Sequence, residues 1–214
     1  MTVHDISPLI SQRIAVWPGD VPFRRAVTCD QAGGANIDLS AIHTTVHLGA
    51  HADAPNHYVP DGVGIAARPV EPYLGLCEVV SVDVERNGRI VSAMLPHPPR
   101  APRVLFRTGT FPDPEVFNED FAALSSELVD FLADHHVRLV GIDTPSVDPC
   151  HDAVLHAHKA IARRDLCILE GVVLAHVPPG LYHLVAPPLK LEGADASPVR
   201  ALLVTLDDST FRAP

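Results

Sequence analysis

The chain has 214 residues, enough for one globular domain with a real core, and its 47% hydrophobic and 20% charged residues are ordinary soluble-protein composition. A formal net charge of −10, from 26 acidic against 16 basic residues, argues against a phosphate-backbone partner, which needs clustered Lys and Arg. The first twenty residues carry no signal-peptide pattern, no apolar run reaches membrane-span length, and Cys29, Cys77, Cys150 and Cys167 form no CxxC pair. The expectation is a soluble, cytoplasmic single domain with reduced thiols.

In chain order, Trp17-Pro18-Gly19-Asp20 reads as a turn, with Pro presetting φ and Gly accepting positive φ. Residues 36–46 alternate apolar Ile37, Leu39 and Ala41 with polar neighbours and read as a strand. Residues 76–84 and 104–107 read as further strands. Ser125 or Ser126 can cap a helix carrying Leu128, Phe131 and Leu132 on one face. The apolar run 137–142 reads as a buried strand. Asp148 followed by Pro149 signals a helix start, and the helix is expected to run to Arg163 or Arg164, whose cations suit its C-terminal end. Residues 166–177 read as a strand with Glu170 in its middle, and 201–206 as the last. A mostly β first half and alternating helices and strands afterwards give an α/β or α+β class with a mixed sheet. Twenty-one prolines fit such short elements better than a helix bundle.

Thirteen histidines exceed an ordinary share, and four ligand-type residues fall within eleven positions: His47, His51, Asp53 and His57. All four have the same parity, so extended backbone would send them to one side. Gly49 and Pro55 make an extended loop leaving a strand end more plausible than a long regular element. Imidazoles plus a carboxylate suit Zn²⁺, with Mn²⁺ or Fe²⁺ as alternatives. A carboxylate can also bridge two ions.

On the expected helix His151 and His158 share a face, and Glu170 follows twelve residues after His158. A lone buried carboxylate costs several kcal/mol unless paired or bound to a cation, so Glu170 has a basic partner, an exposed edge position or a metal. Trp17, the only tryptophan, is either a hydrophobic anchor or a wall for a flat substrate. His43 is core or lies behind the site. His4, His97, His135, His136, His176 and His183 read as surface or capping residues.

Six segments in order carry a family resemblance: DISPLISQRIAVWPGD, HLGAHADAPNHY, GIDTPSVDP, HAHKA, LEGVVL and LKLEGADASPVRALL. Together the chain resembles the cyclase-like metal-dependent hydrolase family, and within it the bacterial kynurenine formamidase (arylformamidase) branch. Leu48 stands where that branch usually carries Thr, His136 where a Gly commonly ends the preceding helix, and residues 189–196 match more loosely. The resemblance implies an α/β, swivelling β/β/α-type domain with a barrel-like mixed sheet flanked by helices, usually homodimeric. It implies two zinc ions, with Mn²⁺ as an alternative, held by His47, His51 and Asp53 and by Asp53, His158 and Glu170. It also implies His57 as general acid and base and Trp17 as a contact for the aromatic ring. The implied reaction is hydrolysis of N-formyl-L-kynurenine to L-kynurenine and formate in tryptophan degradation. The alternatives are an isatin hydrolase-like activity with Mn²⁺ or a non-catalytic metal-binding protein. No GxSxG elbow is present, so a serine-hydrolase formamidase is not expected.

Overall fold

In the computed structural model, which describes residues 1–205, fifteen strands and α-helices are laid down in chain order. They are β1 (Val3–Asp5), β2 (Arg24–Cys29), β3 (Leu39–His43), β4 (His51–Asp53), β5 (Leu74–Ser81), β6 (Arg89–Ile90), β7 (Arg103–Arg107), β8 (Ala123–Leu124), α1 (Ser126–Asp134), β9 (Leu139–Ile142), α2 (His156–Arg164), β10 (Cys167–Leu169), β11 (Gly180–Val185), β12 (Ala196–Pro198) and β13 (Leu202–Thr205). Seven of them form one mixed sheet in the order β1-β13-β11-β5-β7-β9-β10. From β5 to β10 neighbours are parallel, and from β5 back to β1 they are antiparallel. The sheet curls into a half-barrel, and β1 and β10 remain its two edges.

The parallel half shows why these residues form a buried sheet. Its strands are apolar on both faces, as strands covered on both sides must be. Val104 and Phe106 of β7, Val140 and Ile142 of β9 and Ile168 of β10 face one core with Leu128, Leu132 and Ile161 of the two helices. The alternating Leu105, Leu139 and Leu169 face the other core, with Ala50, Ala52 and Ala54 around β4. The helices therefore cover one face, and β4 with its partner β12 covers the other. The family expectation of a barrel-like mixed sheet flanked by helices holds. No helix of the described residues is long and apolar enough to cross a membrane.

The first helix is as expected, with Ser125 as its cap: its hydroxyl accepts the Leu128 N–H at 3.0 Å. The second is shorter than its sequence signals suggested. Residues 149–155 form turns, Leu155 takes left-handed φ 57°, and α2 begins at His156. Asp148 still caps it, from a distance, accepting the N–H groups of Ala157 at 2.9 Å and His158 at 3.0 Å. His151 consequently leaves the helix and does not share a face with His158.

The expected strand over 166–177 also breaks. Its apolar start is β10, Glu170 leaves the sheet to bridge β4, and Gly171 turns the chain at φ 65°. The alternating segment 36–46 contributes only β3, which pairs with β2 in a projecting hairpin whose Val27, Ile37, Leu39 and Ile42 are exposed. Alternation there marks a ribbon and not a core face. The last strand, expected over 201–206, is β13, and Leu206 lies outside the described residues.

After α1 the chain passes through His136 at φ 63°, where its N–H reaches the Ala133 carbonyl. A side chain in this left-handed conformation costs about 1 kcal/mol that glycine avoids. His136 is exposed and holds no core contact. His136→Gly is therefore expected to raise stability by about 0.5–1 kcal/mol in urea unfolding, and a lower midpoint would contradict the strain.

Candidate metal centre

Two strand-like crossings build the site. β4 carries His51 and Asp53, and pairs on one side with β12, where Asp53 lies opposite Ala196. On its other side His51 exchanges both backbone hydrogen bonds with Glu170, at 3.1 and 2.9 Å. This second crossing needs glycine. A Cβ on Gly171 would stand 2.1 Å from the Gly49 carbonyl oxygen, and both glycines have positive φ. The close approach brings residues of the sequence motif onto the segment that follows β10.

His47, His51, Asp53, His158 and Glu170 are thereby gathered in one place. His47 Nδ1 is 3.0 Å from Asp53 Oδ1, and His51 Nε2 is 3.4 Å from the same oxygen. His158 Nε2 is 3.4 Å from Asp53 Oδ2 and 3.8 Å from Glu170 Oε1, while Glu170 Oε2 is 3.1 Å from His51 Nε2. Asp53 therefore stands between the two halves of the set. His51, Asp53, His158 and Glu170 are buried at 2% exposure each.

Close as they are, these groups do not satisfy one another. Both Asp53 oxygens and His158 Nε2 are buried without a hydrogen-bond partner. Buried polar atoms are paired in most structures, and three unpaired ones so close together are a donor set that a cation would satisfy. The donor set (imidazole nitrogen and carboxylate oxygen) fits a borderline divalent ion. His47, His51 and Asp53 present ligand atoms within 4.8 Å of one another, as do Asp53, His57 and His158. The residues present thus fit the implied metal.

The outward nitrogens are fixed too. His51 Nδ1 lies 2.9 Å from the Gly49 carbonyl, His158 Nδ1 2.9 Å from Asp148 and His47 Nε2 3.0 Å from Asp195. An imidazole N–H held by an outer acceptor leaves the inner nitrogen's lone pair for a metal. Asp148 is itself held by Arg89 at 3.0 Å. Asp195 and this use of Asp148 were missed from the sequence, where a lone Asp in a loop carries no signal of its distant partner.

The carboxylates and imidazoles of the cluster shift one another's protonation. Burial opposes charge on His47, but Asp53, with Asp195 and Glu170, outweighs it and the imidazole is pushed up to about 9. Burial likewise opposes charge on His158, yet Asp148, Asp53 and Glu170 push it up to about 10. His51 is also raised against its burial, by Glu170 and Asp53. Burial would raise Asp53, and His158 and His47 instead hold it well below the carboxylate range. His57 goes the other way: burial lowers it, more than Asp53 raises it. It is the one imidazole of the group that its surroundings push toward the neutral form.

His57 ends a short 3-10 turn, Pro55–His57, and its ring centroid is 4.2 Å from that of His47. Its Nδ1 is 3.6 Å from Asp195. The cluster forms the floor of a cavity of about 470 Å³. Trp17, Phe111 and Phe117 wall it, and Trp17 packs edge-on against Phe117 at 5.5 Å and Phe121 at 6.2 Å. Trp17 is therefore both an anchor and a wall. His43 is exposed, and Leu48 is buried at 2%.

The fold that carries this site recurs in solved structures. One described as a "potential metal-dependent hydrolase with cyclase activity" is 29% identical, with TM-score 0.80, covering 94% of this chain and 96% of that one. A "predicted metal-dependent hydrolase" from Bacillus stearothermophilus is also 29% identical, with TM-score 0.78 and coverage of 94% and 97%. Isatin hydrolase A from Labrenzia aggregata, bound to benzyl benzoate, shares the fold at 23% identity, TM-score 0.78 and coverage of 96% and 94%. The fold is that of this metal-hydrolase group. The chain belongs to the cyclase family, whose model, described as "Putative cyclase", matches residues 4–149.

Asp195 provides a test of the outer shell. Its side chain is 46% exposed, so Asp195→Ala is expected to fold normally. Its divalent-metal affinity, read by competition with a chromophoric chelator, is expected to fall by about 10–100-fold. Unchanged affinity would make Asp195 a surface neighbour.

Proposed function

We propose that the protein is a metal-dependent amidohydrolase that acts on an aromatic formamide, with N-formyl-L-kynurenine as substrate and L-kynurenine and formate as products. One observation carries this reading: His47, His51, His158 and Glu170, gathered round the unpaired carboxylate of Asp53, line an aromatic-walled cavity with His57 beside them. The cavity can hold a flat ring against Trp17 and Phe117 with its formyl group over the cluster. Among the described residues no Lys or Arg lines it, which suits an uncharged ring or an ammonium-bearing side chain.

His47, His51 and Asp53 would hold one ion, and Asp53, His158 and Glu170 a second. Bound there, zinc supplies Lewis acidity and a nucleophile at neutral pH. The protein's own groups do the rest. The aromatic wall orients the substrate and excludes water from one side of the amide. As the water oxygen bonds to the formyl carbon its proton passes to His57 Nε2, and as the C–N bond breaks the same nitrogen delivers that proton to the departing aryl nitrogen. Asp195 faces the other nitrogen of His57 and restrains the ring.

A second reading is a sibling activity on a cyclic amide with Mn²⁺, supported by the fold shared with isatin hydrolase A at TM-score 0.78. Hydrolysis of N-formyl-L-kynurenine and of isatin, each with zinc or manganese as the only added metal, separates the two. Fast zinc-dependent formamide hydrolysis, lost to a chelator, is expected. Turnover of isatin alone would replace the reading with its sibling.

His57→Ala is expected to keep its metal, by elemental analysis, and to lose about 10²–10⁴-fold in kcat. Asp53→Ala is expected to lose both metal and turnover. A metal-free His57→Ala protein with full activity would remove the mechanism.

A further inference from the structure

Outside the cavity a second group of ligand-type side chains meets at the surface. Glu119, Cys150 and His151 each present a ligand atom within 4.8 Å of the other two, and none of them lines the cavity. His151 Nε2 is 3.0 Å from Glu119 Oε2. We propose that these three residues form a peripheral zinc-type site, separate from the His/Asp/Glu cluster on the cavity floor.

Both halves of the site stand on fixed backbone. Cys150 and His151 follow Asp148, which is fully buried and pinned by Arg89 and by the first turn of α2. On the other side, Asn118 donates to the Thr110 carbonyl at 3.0 Å and to Asp120 at 2.8 Å, and Phe121 is fully buried. Glu119 is carried between these anchors. The side chains remain adjustable, at 78% exposure for His151 and 55% for Glu119. Tetrahedral zinc needs ligand atoms about 3.3–3.8 Å apart, so closing the set takes a shift of about 1 Å in exposed side chains.

The chemistry selects the ion. A thiolate, an imidazole and a carboxylate suit Zn²⁺ and disfavour Mg²⁺ and Ca²⁺, which prefer oxygen alone. On binding, the Cys150 thiol releases its proton to solvent, and the His151–Glu119 hydrogen bond is exchanged for two ligand bonds. The fourth position faces water. The site also has a structural consequence. The segment before Glu119 carries Phe111 and Phe117, and the segment after His151 carries Leu155, all of which line the cavity. An ion here fastens one wall of the cavity to another at its outer rim.

Cobalt separates this site from the central one, because only a thiolate ligand gives an intense near-ultraviolet charge-transfer band. The central cluster has no cysteine. Co²⁺ is titrated into the wild-type protein stripped of metal by a chelator, and into Cys150→Ser and His151→Ala stripped the same way. The wild type is expected to develop the band, saturating at one cobalt per chain beyond what Cys150→Ser binds. The band is expected to be absent in Cys150→Ser, and the cobalt affinity of His151→Ala to be weaker by at least roughly tenfold. No band in the wild type, a band that survives Cys150→Ser, or an affinity unmoved by His151→Ala would overturn the site. Formamide hydrolysis is not part of the readout, so this result stands or falls apart from the proposed function.

Discussion

Asp53 and Glu170 are anionic side chains buried at 2% exposure, and a buried carboxylate without a counter-charge costs several kcal/mol. Everything around the centre answers that cost. His47, His51 and His158 are each raised against their own burial by the carboxylates, which favours protons on the imidazoles around them. Even so, both Asp53 oxygens stay without a hydrogen-bond partner. A divalent cation answers the same charge and also takes up the orphaned lone pairs. The cluster is therefore folded around a charge requirement that protons meet only in part.

The outer acceptors matter for the same reason. Asp195, the Gly49 carbonyl and Asp148 each take one nitrogen of a histidine, which turns three flexible rings into oriented ones. Asp148 also caps α2, so the group that orients His158 fixes the start of the helix that carries it. Helix placement and ligand orientation are one interaction. Arg89 holds this carboxylate in turn and also reaches Asp152.

Much of the centre was legible in the sequence because its first four residues lie within eleven positions, interleaved with alanines and a glycine. Glu170 was legible for a different reason, as a lone carboxylate in an apolar run. What was not legible depended on long-range pairing. Asp195 reaches His47 across 148 positions, delivered by the pairing of β12 with β4, and nothing local distinguishes it from the other acids. The helix start moved from Pro149 to His156 because the Asp148 carboxylate caps at a distance, which local cap rules do not foresee. The alternating segment containing β3 misled in another way. Its periodicity was real, but the hairpin lies clear of both cores.

The contact between Gly49 and Gly171 has a bearing on how the molecule is assembled. It joins a segment from the first quarter of the chain to one from the last quarter, with no room for a side chain between them. His47, His51 and Asp53 lie together on one segment, but Glu170 comes opposite them only through this backbone crossing, directly after β10 leaves the sheet. The complete donor set therefore depends on long-range topology, and no single stretch of the chain carries it. A chain in which this crossing fails keeps its local histidines but loses the carboxylate that closes the set, so a side chain at Gly171 would damage the site without touching a ligand residue.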